Sequence, residues 1–510
     1  MKISLSNNYS LTVFLCFILL WSGLLYADTS CGKIIISSGI ADDRVFQRAS
    51  DNKARINIIG TASPSTTTNL QFQIQHRTQD VEGFGWNTVP VDANGQWMLK
   101  IDTLLVGGPY SVKFRLLDSA KNELDLVNIE NILVGDLWLL GGQSNMDGCG
   151  DLADAEAPSE MIHSFSLGNA WQVAEDPIHY CYESVYPVYL TSYVSPTVRR
   201  PIPYTPRGTC PGWKPAGNIG AGLGIPFAKA IFEKTQVPIG LIPCSLGGST
   251  MPQWSPELKD KAGSSLYGAM LDRIEKVGGR IVGMLWYQGE SDSDAEAAKM
   301  YQDRLKNLIV SICKDINEPN LSFYCVQIGR QLNGTENNPG GKDTVREAQR
   351  KCMLEMPGAA LVSAIDLEMS SSAHIDTVGY KRVGRRLANL ALALNYSVKE
   401  IKTGPMLNHI AFDPCKPNTI RVVFDNVNGK LIANPRVLGF SLRSENGTAM
   451  TVQILSAKLD PQNSSAIIIT TLEPLKESTF LWYGWGWDPV CNVVDELDMA
   501  LPAFGHVKIK

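Results

Sequence analysis

Residues Ile132–Gly148 read ILVGDLWLLGGQSNMDG. The first part, Ile132–Leu140, is an apolar run of the kind that forms a fully buried strand. The second part, Gly141–Gly148, sets two glycines, a serine and two amides in a row. Such clusters are ordinary tight turns as a rule. A serine held out at the end of a buried strand is the alternative, and the rest of the chain decides between them.

Downstream, short apolar runs alternate with longer stretches of helical periodicity. VPIGLIPC, RIVGMLWYQ, LSFYCVQIG and AALVSAI have the character of buried strands. FAKAIFEKT, SLYGAMLDRIEKV, AEAAKMYQDRLKNLIVSICKDI, TVREAQRKCMLEM and YKRVGRRLANLALAL have apolar helical faces. This alternation predicts an α/β unit over 132–398, a parallel sheet flanked by helices. A Pro-, Tyr-, Ser- and Cys-rich segment at about 151–218 breaks the pattern and reads as a long insertion. On either side the runs become short and β-like, separated by Gly, Pro, Asn and Asp. They predict an N-terminal β-sandwich-like domain over 28–131 and a C-terminal β domain over 399–510.

The chain has 510 residues, with 44% hydrophobic and 19% charged. This is globular composition, long enough for two to four domains. A net charge of −5, without a basic block, gives no reason to expect nucleic acid or an anionic membrane as partner. Leu11–Ala27, LTVFLCFILLWSGLLYA, follows a weakly basic start. It reads as a signal peptide over 1–27, with an uncleaved membrane anchor as its rival. The expected location is therefore secreted, periplasmic or lumenal. Of 11 cysteines, Cys16 lies in that segment, leaving ten in the mature chain. In an oxidising compartment disulfides are permitted, and Cys181–Cys210 and Cys415–Cys491 are candidate pairs. No Cys/His cluster has zinc spacing, so neither a metal nor another cofactor is expected.

In an open α/β sheet, ligands bind beyond the carboxyl ends of the strands. There the sequence places Gly142-Gln143-Ser144-Asn145, then Ser245-Leu246-Gly247-Gly248-Ser249, then Gln288-Gly289-Glu290, and finally Asp366-Leu367-Glu368 with His374 before the last helix. One rim thus collects a hydroxyl, an imidazole, glycine amides and a carboxamide. These are the parts of acyl transfer. A serine hydroxyl needs a base to take its proton, and an imidazole suits that near neutral pH. The oxyanion needs donors. Backbone N–H groups of Ser144 and of Gly247 or Gly248, with the Gln288 amide, are the candidates. The block is not the Gly-x-Ser-x-Gly elbow, because Met146 stands two residues after Ser144.

GGQSNMDG, SLGGSTMPQW and LWYQGESD, followed by a late His before a helix, resemble the motif blocks of the SGNH-hydrolase superfamily, in its sialate O-acetylesterase branch, which is similar to certain acetylxylan esterases. SSGIADDRVFQR near the start and WYGWGWDPVCNVVDELDMALPAFG near the end extend the resemblance over nearly the whole mature chain. It implies a three-layer SGNH-type parallel sheet with helices on both faces, between two all-β domains. It implies Ser144 as nucleophile, His374 as general base, and Gly248 (or Gly247) and Gln288 at the oxyanion hole. Gln143 and Asn145 would brace the serine turn, and Glu290 would hold a neighbouring loop or a polar group of the site.

One departure stands out. Many members carry Asp three residues before the His, where this chain has Ser371. Asp366, Glu368 or a backbone carbonyl is left to orient the imidazole, and Asp366 is the first choice. Trp254 is a candidate sugar platform and Arg330 a candidate partner for a substrate carboxylate, against the plainer readings of a core residue and a surface ion pair. His76, His163, His179, His409 and His506 lack comparable context and read as structural. The expected activity is O-acetyl removal from an O-acetylated sugar or glycan, sialic acid first, with acetylated xylan or xyloglucan as the alternative. A non-catalytic sugar-binding protein on a degenerate esterase scaffold is the rival from another class.

Overall fold

The structure is a computed structural model that describes residues 32–63, 69–195, 198–205, 218–332, 340–413, 415–445, 447–450, 452–475 and 479–509. The signal-peptide segment and Cys210 lie outside the described residues. Among the described residues, no helix is long and apolar enough to cross a membrane.

Ile132–Leu140 is the centre of the molecule, as its composition requires, but the strand is longer than its apolar run. β1 spans Glu123–Gly142 without a break. Its first nine residues are mostly exposed or half-buried and its last eleven are buried. The first part pairs antiparallel with Gly107–Leu117 of the N-terminal β region. The second part pairs parallel with β3 (Ile239–Pro243) and β4 (Gly283–Tyr287). The domain boundary expected at residue 132 therefore falls inside one strand. The backbone ladder runs across it, so the two regions share a sheet.

The parallel part continues from β4 to β5 (Ser322–Gln327) and β6 (Ala359–Ser363). On the other side of β3 lies β2 (Ile162–Phe165), also parallel, edged by Trp171–Val173. The 151–218 segment, read as a long insertion, thus supplies a strand to the sheet. Its Ile-His-Ser-Phe stretch is fully buried. Four residues are too few to stand out by periodicity.

Side-chain direction alternates along a strand, so register assigns helices to faces. Trp138 on β1 is opposite Gly283, and Gly141 is opposite Trp286. Trp138 and Trp286 are three register positions apart and point to opposite faces. Trp138 meets Phe227 of α1 (Gly224–Thr235). Trp286 lies against Trp254 and donates from Nε1 towards the Tyr301 hydroxyl of α3 (Ala295–Asp315) at 3.5 Å. Helices α2 (Leu266–Lys276), α4 (Gly340–Glu355) and α5 (Thr377–Leu394) complete the set. Asp294 caps α3 by accepting from Glu296 and Ala297 N–H, and Asp376 caps α5 by accepting from Gly379 N–H. α1 and α5 approach closely at Gly384, where a Cβ would sit 2.6 Å from the Leu223 carbonyl oxygen.

The N-terminal region packs the sheet of Lys33–Ser38, Lys53–Ser63 and Gln96–Leu105 over an apolar cluster including Ile56, Ile58, Trp97 and Phe114. The C-terminal region has a four-stranded antiparallel sheet (Met406–Phe412, Thr419–Asp425, Ala466–Thr471, Ile454–Leu459) and a three-stranded one (Phe440–Arg443, Phe480–Tyr483, Phe504–Lys508). All eight cysteines among the described residues are free. The expected Cys415–Cys491 disulfide is not made: Cys415 is exposed, whereas Cys491 is buried against Tyr483.

Candidate active site

β1 ends where a side chain cannot follow. Gly142 has φ +141, and a Cβ there would lie 2.1 Å from the Tyr287 carbonyl oxygen of β4. Glycine lets the chain leave the sheet at this point. One helical turn, Ser144–Asp147, follows. The Gln143 carbonyl accepts from Met146 and Asp147 N–H. The buried Gln143 side chain accepts from Gly289 and Ser291 N–H, tying this turn to the one after β4.

Ser144 is half-buried at the head of the turn, and His374 Nε2 lies 3.0 Å from its Oγ. The histidine arrives from the loop between β6 and α5, 230 residues away. Asn145 holds that loop in place. Its Nδ2 donates to the Ala373 carbonyl at 3.1 Å and to Glu290 Oε1 at 2.7 Å, and its Oδ1 accepts from Tyr380 Oη at 2.8 Å. Burial lowers the His374 pKa below its ordinary value, and the Glu290 carboxylate opposes that effect. The imidazole is thus kept unprotonated near neutrality, and Glu290 favours its charged form.

The group on the far side of the ring is a hydroxyl. Ser371 Oγ lies 3.0 Å from His374 Nδ1 and also accepts from His374 N–H at 3.2 Å. Where Nε2 accepts from Ser144, Nδ1–H donates to Ser371. This corrects all three candidates for that place. Asp366 is occupied elsewhere, accepting from Arg386 Nη1 and Nη2 at 2.7 Å and from Arg382 Nη2 at 2.8 Å. Glu368 is solvent-exposed beside Arg330. No backbone carbonyl is needed at Nδ1 once Ser371 is there.

The glycine loop after β3 lies against the serine turn. A Cβ on Gly247 would be 3.7 Å from Ser144 Cβ. Its backbone hydrogen-bonds to Asp147, which also accepts from Ser245 Oγ at 2.5 Å. Gly248, at φ +66, and Ser144 have no acceptor for their N–H groups among the described residues. The free donors are therefore Ser144 and Gly248, and Gly247 is engaged. Gln288 is corrected too. Its buried Nε2 donates to the Ser249 carbonyl at 3.1 Å and to Asp292 Oδ2 at 2.6 Å. Both protons are used, so Gln288 fastens the glycine loop to the end of β4.

Two candidates for substrate contact have the plainer roles of a core residue and an ion pair. Trp254 is completely buried and donates Nε1–H to Ser249 Oγ at 3.0 Å. It supports the glycine loop from below and offers no face to a sugar. Arg330 pairs with Asp488 at 2.5 Å and approaches Glu368 at 3.7 Å. The other histidines stand outside this constellation; His163, for example, lies between the Asp43 and Glu160 carbonyls.

Several contributors escaped the sequence reading. Asp147 lies within the quoted block, and desolvation raises its carboxyl pKa to about 7 against the opposing effects of Ser245, Gly247 and Arg199. Arg199, from the hairpin of Thr191–Ser195 and Val198–Pro201, donates to the Gly247 carbonyl. Lys342, in the first turn of α4, is wholly buried with its Nζ unpartnered, 5.5 Å from the Trp487 ring. Desolvation brings its pKa down to about 7, partly offset by Glu290. Only Asp147, three residues after the serine, carried a local signal.

A serine activated by a histidine, with two free amides at the turn, is suited to acyl transfer. Known proteins point the same way. A probable carbohydrate esterase of Arabidopsis thaliana is 29% identical over 281 residues, covering 50% of this chain and 90% of that protein. The human sialate O-acetylesterase is 26% identical over 294 residues, covering 53% of this chain; the match spans about half (51%) of the human protein. The crystal structure of a carbohydrate acetylesterase from Xanthomonas citri superposes with a TM-score of 0.62 at 22% identity, covering 92% of this chain and 99% of that one, and shares its fold. Residues 134–393 match the family model for carbohydrate esterases of the sialic acid-specific acetylesterase type. The chain belongs to that family of carboxylic ester hydrolases.

Proposed function

We propose that this protein is a secreted serine esterase with a three-layer SGNH-type catalytic unit, removing O-acetyl groups from sugar hydroxyls. The observation that carries this reading is the 3.0 Å contact between Ser144 Oγ and His374 Nε2. Ser144 Oγ attacks the acetyl carbonyl carbon while His374 Nε2 takes its proton. Ser144 N–H and Gly248 N–H receive the oxyanion. His374 returns the proton to the departing sugar oxygen, leaving acetyl-Ser144. A water, deprotonated by His374, then releases acetate and restores the serine. Ser371 holds the imidazole tautomer, and the Glu290 carboxylate stabilises the imidazolium.

Of the two substrate classes, neutral acetylated polysaccharide is favoured over 9-O-acetyl sialic acid. Arg330, the residue considered for a sialate carboxylate, is already paired with Asp488 and Glu368. The test is acetate release from acetylxylan, acetylated xyloglucan and 9-O-acetyl sialic acid, alongside p-nitrophenyl acetate. Ser144→Ala is expected to abolish turnover of all esters, a loss on the order of 10⁴-fold or more. Correctly folded wild-type protein without activity on any ester would leave the non-catalytic sugar-binding reading. Faster release from the sialic acid ester would reverse the order of substrates.

A further inference from the structure

A cavity of ≈350 Å³ opens between α3, α4 and the three-stranded sheet of the C-terminal region. It lies apart from Ser144 and His374, and no step above uses it. From the C-terminal side it is lined by Trp482, Trp485 and His506, and from the helices by Gln302, Thr344 and Glu347 among others. Trp482 is 7% exposed, and its Nε1 has no hydrogen-bond partner. Trp485 is half-buried, fixed at 79° to Trp482 with ring centroids 4.7 Å apart and carrying the Arg443 guanidinium at 4.6 Å. The volume falls within the range of small-molecule sites.

The charges at this cavity are committed to one another. Glu347 accepts from Arg350 at 2.7 Å, and Lys351 approaches it at 3.5 Å. Asp343 is paired with Arg346, Lys299 with Glu296, and His506 faces Glu445 at 3.6 Å. Among the described residues, no charge lining the cavity is left without a partner to receive a charged ligand. A neutral ligand with many hydroxyls would use the outer lone pairs and protons of these pairs, the Gln302 amide and the aromatic surfaces. That combination of apolar ring faces and a polar edge matches a pyranose.

The cavity and the catalytic rim both meet the first turn of α4. Asp343 and Thr344 line the cavity, and the preceding residue, Lys342, is coupled electrostatically to Glu290. We propose that this aromatic cavity is an accessory binding site for neutral glycosyl residues of a polymeric substrate, holding the chain while an acetyl group is presented to Ser144. The carbohydrate-esterase reading supplies the ligand class, but occupancy of the cavity does not require Ser144 chemistry.

The test uses full-length Ser144→Ala protein, titrated with xylohexaose and a xyloglucan heptasaccharide and, as an anionic comparison, 3′-sialyllactose. Binding is followed by calorimetry and tryptophan fluorescence. Neutral oligosaccharides are expected to bind at sub-millimolar concentration and sialyllactose more weakly. Adding Trp485→Ala should weaken neutral binding about tenfold or more. Because Trp485 also packs within its own domain, Thr344→Trp fills the cavity from the exposed side of α4 and should do the same. In the otherwise native chain, Thr344→Trp should leave p-nitrophenyl acetate turnover within about twofold while slowing acetate release from acetylated polysaccharide. No neutral binding up to about 10 mM, a preference for sialyllactose, or unchanged binding in Thr344→Trp would overturn the proposal. If wild type hydrolyses no ester but the oligosaccharide results hold, the binding site stands and the esterase reading falls.

Discussion

Ser371 Oγ lies 3.0 Å from His374 Nδ1, on the opposite edge of the imidazole from Ser144 Oγ, 3.0 Å from Nε2. A hydroxyl thus occupies the place where a carboxylate was sought. It can fix the tautomer, but it carries no charge to stabilise the imidazolium. Replacing Ser371 by Ala removes the hydrogen bond to His374 Nδ1, worth about 1 kcal/mol, together with the one accepted from His374 N–H, and kcat should fall about tenfold. Ser371→Asp should raise the His374 pKa and move the rising limb of the pH–rate profile to higher pH. A Ser371→Ala enzyme with wild-type kcat at every pH would remove Ser371 from the relay.

Glu290 supplies the charge that Ser371 lacks. Activity requires unprotonated His374, so kcat/KM should rise with pH through a pKa below the ordinary histidine value of 6.5. The Glu290 carboxylate raises that pKa. Glu290→Gln should therefore shift the rising limb towards lower pH and also lower the plateau, about tenfold for each ~1.4 kcal/mol of lost imidazolium stabilisation. A pH–rate profile measured on both proteins decides it, and a limb that does not move counts against the coupling.

Asp366 has a structural task. Its carboxylate and the Arg386 guanidinium are nearly inaccessible, at 4% and 1% side-chain exposure, and Arg386 also donates to the Asp498 carbonyl in the C-terminal region. Asp366→Asn leaves Arg386 poorly compensated, which costs about 3–5 kcal/mol where a buried pair is broken. Thermal denaturation should show a large drop in Tm, while kcat per folded molecule stays near wild type. The reverse pattern, normal stability with lost turnover, would restore Asp366 to the catalytic relay.

Asp147 makes stability depend on pH. Its folded pKa, about 7, is above the ordinary carboxylate value of 3.8. Between those two values the folded state binds more protons than the unfolded one. Stability from this group is present at low pH and is lost as pH rises from about 4 through 7. Asp147→Asn removes that loss, so the difference in Tm between variant and wild type should move in favour of the variant from pH 5 to pH 8. A difference constant over this range would contradict a raised Asp147 pKa.

The sequence was most legible where function and fold use the same local signal. Ile132–Leu140 is apolar but for Asp136, which is paired with Arg48, because β1 is buried there on both faces, and Gly142 follows because Tyr287 leaves no room for a Cβ. The glycines after β3 and the histidine before α5 stand at strand ends, and the rim rule locates them without coordinates. The N-terminal boundary was read at residue 132 because the strand's composition changes there, whereas its hydrogen-bond ladder continues across that point. The short strand Ile162–Phe165 was missed because its burial comes from its neighbours in the sheet and not from any pattern of its own.

What the sequence determined by itself was the set of groups: a serine after a buried strand, amides around it, and a distant histidine. Only the tertiary structure decided which of these are free to act. Gln288, Gly247, Trp254, Arg330 and Asp366 all carry suitable chemistry, and each is already bound to a neighbour. Ser371, which looked like a loss, is the residue placed at the ring. The reason is physical. A side chain's type sets what bonds it can make, but its bonds are exclusive, and the partner that takes them comes from another part of the chain.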